Sequence, residues 1–141
     1  MTHVRWRGLV VAGCVLTAFT LVVGRAQAQK TKGKTRAALT RQLMKGLVGP
    51  NCSDLKKALD AETRNWEEIS LKAALLNEAG FLLMDDGRCP DGDWANSAKA
   101  IREGSAAVLA AAEKQDPAAA KEAFAKLTGE GCAVCHKAHK Q

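Results

Sequence analysis

Cys132, Cys135 and His136 form a Cys-x-x-Cys-His stretch five residues from the end of a 141-residue chain. On a helix, thiols at i and i+3 share a face, where they can add to the two vinyl groups of a haem while the neighbouring imidazole sits beneath the iron as an axial ligand. Thioether bonds do not dissociate, so the spacing predicts one permanently attached haem c per chain. A Cys-x-x-Cys pair has two other uses, a dithiol redox centre and half of a structural zinc site. The first asks for a strand running into a helix, the second for a further Cys or His at finger spacing. The upstream chain reads as helix throughout and offers neither.

A haem of this kind is attached after export, and the N-terminus carries an export signal. Arg5 and Arg7 precede an apolar run from Leu9 to Val23, and Ala26-Gln27-Ala28 has the small-x-small form of a cleavage site. Residues 1–28 read as a secretory signal peptide, 29–34 as a basic arm and 35–141 as one haem-binding domain in the periplasm. The apolar run is shorter than the roughly 20 residues of a membrane-spanning helix, so no membrane contact is expected after cleavage. Val11-Ala12-Gly13-Cys14 has the shape of a lipoprotein box, but the longer apolar stretch follows Cys14, which favours cleavage at Ala28. Losing Arg5, Arg7 and Arg25 takes three charges from a formal +6, leaving +3. That balance does not point to nucleic acid. Lys30, Lys32, Lys34 and Arg36 read as a solvated arm, or as a docking patch for an acidic redox partner.

With Cys14 cleaved away and Cys132 and Cys135 taken by haem, Cys52 and Cys89 remain. An even pair in an oxidising compartment is a disulfide candidate, and closing that loop is worth roughly 3–4 kcal/mol by chain-entropy arithmetic.

The elements that must position these groups are helices. Leu39, Leu43 and Leu47 recur at i+4 in a segment over about 35–48, which Gly49-Pro50 interrupts, and Asn51 or Ser53 can cap a continuation to about Ala61, as one kinked helix or as two. Asn65-Trp66-Glu67-Glu68 has the form of a capping box and opens a helix carrying Ile69, Ala73, Leu76 and Leu83. Residues 85–92 break into a loop, and Asp93 is the expected cap of a helix whose Trp94, Ala98, Ile101, Ser105, Val108 and Ala112 form one face. Asp116-Pro117 opens the last helix, which runs into the haem motif. Four helices with short links predict an all-α, antiparallel, up-down-up-down four-helix bundle.

A signal peptide, four helices and one Cys-x-x-Cys-His at the C-terminal end together resemble the class II c-type cytochromes, the cytochrome c′ family and its low-spin relatives. Arg41-Gln42-Leu43-Met44-Lys45 resembles that family's Arg-x-x-x-Met-Lys region, Lys114 to Ala120 its turn between the last two helices, and Cys132 to Lys140 its terminal motif. The resemblance implies a cytochrome c′-like bundle, His136 as proximal iron ligand, and Met44 facing the distal side. It also implies redox proteins as partners, admits a homodimer, and points to electron transfer rather than enzymatic turnover. Met44 decides between two mechanisms. A ligating thioether makes the iron six-coordinate and low-spin, suited to carrying electrons. A Met44 packed as core filler leaves an open face for NO or CO. His139 reads as exposed or near the haem edge. A haem-free dithiol or structural helical domain is the alternative from a different class.

Overall fold

In an α-helix Pro50 would leave the carbonyl of Gly46 without a donor, and its ring would collide with that carbonyl. In the computed structural model, which describes residues 32–140, the chain nevertheless passes Pro50 without a break. It does so by widening one turn. Residues Thr40–Leu43 are α-helical, Met44–Val48 take the π form, and Gly49–Asp60 resume the α form, making one helix, α1, over 40–60. The Gly49 N–H reaches back to the Met44 carbonyl, and the Asn51 side-chain amide donates to the Leu47 carbonyl at 2.7 Å. A Cβ on residue 49 would sit 3.0 Å from the Met44 carbonyl oxygen, so glycine suits this tight turn. The interruption expected at Gly49-Pro50 is thus a local change of pitch.

Helix α2 spans Trp66–Met84, and Asn65 caps it by accepting from the N–H groups of Glu67 and Glu68. Helix α3 spans Gly92–Glu113. Its cap is Asp91 rather than the expected Asp93, because the Asp91 carboxylate accepts the Trp94 N–H at 2.9 Å. Helix α4 covers 117–139. It begins at Pro117 with Asp116 as cap, is α-helical over Pro117–Lys126, takes the π form over Leu127–Ala133, and ends as α-helix over Val134–His139. The second π stretch has a local cause. The Thr128 hydroxyl bonds the carbonyls of Phe124 and Ala125, and Gly129 and Gly131 weaken the α preference around it.

The four helices pack in antiparallel contacts, each on the next, with α1 closing against α4, as expected for a four-helix bundle. All six residues of the stripe read on α3 are buried, and with Leu55 and Leu59, Ile69, Ala73, Leu76 and Leu83, and Leu127 they form the core. At roughly 25 cal/mol per Å² of buried apolar surface, this is the dominant stabilising term. Small residues bring α3 and α4 close together. A Cβ on Gly104 would lie 2.7 Å from Leu127 Cβ, and one on Gly131 would lie 2.7 Å from Ile101 Cγ1. Among the described residues no helix is long and apolar enough to cross a membrane.

The first helix begins at Thr40 and not near Thr35, because Asp86 captures the preceding segment. Its carboxylate accepts from the N–H groups of Thr35 and Arg36 and from the Thr35 hydroxyl, while the Lys34 N–H donates to the Asp86 carbonyl. Arg88, 1% exposed, donates to the Ala38 carbonyl at 2.7 Å beneath this strap. The described part of the basic arm is therefore tied down at its backbone, with the Lys32 and Lys34 side chains exposed, rather than being a solvated tail. The signal segment 1–28, with its Ala28 cleavage site and the Cys14 box, lies outside the described residues.

Candidate functional site

Both π stretches border the same region of the bundle. Met44 opens the first, Cys132 lies in the second, and Cys135 and His136 follow within the next turn of α4. Two cavities flank them. One, of about 510 Å³, runs along α1 past Val48, Gly49, Cys52 and Lys56 and is closed by Ile101, Phe124, Thr128 and Cys132. The other, of about 410 Å³, lies toward the chain end between Thr40, Arg41, Lys45, Trp94, His139 and Lys140. Met44, Cys135 and His136 line both. Four residues singled out from the sequence, Met44, Cys132, Cys135 and His136, are thus assembled at one place. Volumes of this size are those of ordinary ligand pockets.

The electrostatics differ from one group to the next. Burial pushes the Cys135 thiol up to about 11, helped by the charge of Asp91. Burial and the nearby Lys140 hold His136 below its usual value, so its imidazole is neutral near pH 7 with a lone pair to give to a metal. The charges at the cavity mouths are cationic, with Arg41, Lys45, Lys56 and Lys140 all exposed there.

His139 is buried, not exposed. Its ring meets that of Trp94 edge-on at 5.3 Å, and Nε2 lies 3.3 Å from the Asp91 carboxylate. The Trp94 indole N–H in turn donates to the Leu83 carbonyl at 2.7 Å, which fixes this wall of the smaller cavity.

Cys52 and Cys89 are not brought together. Cys52 on α1 lines the larger cavity together with Cys132 on α4, whereas the Cys89 thiol donates to the Asp91 carbonyl at 3.3 Å. Both stand as free thiols. The reason lies in the docking of the Cys89 loop, which sits beside residues 34–38 and not at the level of Met44. Cys52 is twelve helical residues beyond Thr40, about 18 Å further along α1.

Several lining residues were not singled out from the sequence as part of a haem site, Cys52 having been read only as a disulfide candidate. Phe124 and Thr128 lie eight and four positions before Cys132, and Cys52 eight after Met44, so helical spacing from the motif residues was the signal that marks them. Trp94, Ile101 and Thr40 carry no such mark, since only the packing of α3 and the strap brings them in. Among the described residues no group of three or more His, Cys, Asp or Glu is placed to hold a metal ion. Comparison of the chain with protein-family models, with curated proteins and with solved structures finds no match.

Proposed function

We propose that this protein is a periplasmic monohaem c-type cytochrome of the class II kind that carries electrons. The observation that carries the reading is the shared lining of both cavities by Met44, Cys135 and His136, with Cys132 one helical turn away. The residues fit a haem on chemical grounds. Val48, Ile101, Phe124 and Trp94 offer apolar walls to a flat macrocycle, and the four cations at the mouths suit its two carboxylates. His136 and Met44 are two donors suited to an iron that already has four ring nitrogens.

When bound, the haem supplies one-electron exchange between ferric and ferrous iron. The chain's residues would do the rest. Cys132 and Cys135 would hold the ring through thioether bonds, and neutral His136 and Met44 would offer a nitrogen and a thioether sulfur to its iron. A Met ligand raises the potential. The apolar walls restrict water, and the cationic mouth favours acidic docking faces on redox partners. Export rests on the signal segment read in the sequence, and a homodimer rests on the family resemblance alone.

A second reading is a five-coordinate haem protein that binds NO or CO. It is favoured by the larger cavity continuing past Met44 to Gly49 and Cys52, which leaves room on that side. Met44→Ala separates the two. On the electron-carrier reading, wild-type ferric protein has a weak sulfur-to-iron band in the far red, and the variant loses it, becomes high-spin and binds CO when reduced. Unchanged spectra would overturn the Met44 assignment and favour the gas-binding reading.

A further inference from the structure

Cys52 has no part in the tether, yet it faces one of the two thiols that do. Two observations fix its relation to Cys132. Cys52 and Cys132 line the same cavity, and both pack against the larger core cluster formed around Leu55, Ile69 and Val108. Cys135 is buried elsewhere, in the second cluster with Leu83, Trp94, Ala98 and Ile101. The two motif thiols therefore point to different neighbours, Cys132 toward α1 and Cys135 toward α3.

We propose that Cys52 and Cys132 form a reversible disulfide between α1 and α4, which makes Cys52 a redox-controlled lock on the haem-attachment motif. The lock rests on the haem reading given above; the disulfide itself does not. The oxidant is a disulfide, either of a small thiol such as glutathione or of an oxidoreductase. The Cys52 thiolate attacks one of its sulfurs, the S–S bond breaks, and the first thiol leaves with the electron pair and a proton. Cys132 then attacks the Cys52 sulfur of the mixed disulfide and expels the second thiol. Two protein thiols are oxidised and one disulfide is reduced to two thiols. A thiol reductant reverses both steps.

The thiols divide the work. The nearby Cys132 thiol, as a donor, lowers Cys52 to about 7, so it is the attacking thiol at neutral pH. Interaction with Cys52 and burial raise Cys132. Only a free Cys132 can form its thioether, so the oxidised chain cannot be loaded until it is reduced. A chain already loaded has no Cys132 thiol left to lock.

The test uses the full mature chain secreted with and without a haem-attachment system. Chain made without it is held in glutathione redox buffer, native or in urea, then alkylated and mapped as unreduced peptides. The expected result is a Cys52–Cys132 linked peptide in the native chain, enriched at least roughly tenfold over its share in urea and absent from Cys52→Ser. A dominant Cys132–Cys135 or Cys52–Cys89 link, or the urea distribution unchanged, would overturn the disulfide. With the attachment system present, haem per chain is measured for both proteins under oxidising growth, and Cys52→Ser is expected to load at least about twofold more. Equal loading would overturn the lock. Haem on both proteins with no linked peptide would refute the disulfide and leave the haem reading intact. A linked peptide with no haem on either protein would refute the haem reading, and the lock with it.

Discussion

Replacing Gly104 by alanine should destabilise the bundle, although in a bare helix the same change stabilises. The new Cβ would stand 2.7 Å from Leu127 Cβ and 3.0 Å from Leu127 Cα. Comfortable carbon contacts are about 3.5–4.0 Å, so the overlap approaches 1 Å and involves backbone, which no rotamer change relieves. Overpacking of this kind costs about 1–3 kcal/mol, and the higher helix propensity of alanine returns about 1 kcal/mol. The net loss is then about 1 kcal/mol, roughly a 5 °C fall in Tm for a domain of this size. Gly46 is the internal reference, because a Cβ there meets nothing within 4 Å, so Gly46→Ala should gain about 0.5–1 kcal/mol. Gly131→Ala should fall between the two, since its nearest neighbour is the movable Ile101 side chain. Urea unfolding followed by helical circular dichroism ranks the three. A Gly104→Ala midpoint at or above wild type, or a Gly46→Ala midpoint below it, would refute the close-packing argument.

Trp94→Phe removes the indole donor and leaves the Leu83 carbonyl unpaired in the core, at a cost of about 1–3 kcal/mol readable as a lower urea midpoint. Asp86 makes the strap pH-sensitive. Burial pushes its carboxyl up, but the donors from Arg36 and Thr35 and the charge of Arg88 outweigh this and hold it below the usual value. Its contribution is complete above the unfolded value of about 3.9 and is lost as pH falls through the lower folded value. The Thr35 and Arg36 amide resonances should therefore stay constant from pH 8 to about 5 and move only in the acid range, and Asp86→Asn should abolish that transition.

Much of the frame was legible because it depends on local rules. The Asn65 and Asp116 caps, the α3 stripe and the adjacency of Cys132, Cys135 and His136 are all set within a few residues of sequence. The misplaced features depend on competing partners, distant for the start of α1 and local for the cap of α3. Helix α1 starts at Thr40 because Asp86, about fifty positions away, takes the preceding N–H groups, and Asp91 displaces Asp93 as the cap of α3. The continuity at Pro50 needed a π turn and the Asn51 amide, which no period-3.6 reading contains. Cysteine counting left Cys52 and Cys89 as a candidate pair, but the depth at which the Cys89 loop docks, beside residues 34–38, becomes visible only in three dimensions. The contact between Cys52 and Cys132 was hidden for the same reason.

The proposed covalent haem is tested most directly by the intact mass of the secreted protein, followed by mapping of the peptide that spans Cys132 to His136. The expected result is a mass increase of one haem, carried on that peptide, resistant to denaturant and lost when Cys132 and Cys135 are both changed to serine. An unmodified mass with free thiols at both positions, in a host that loads other c-type cytochromes, would contradict it.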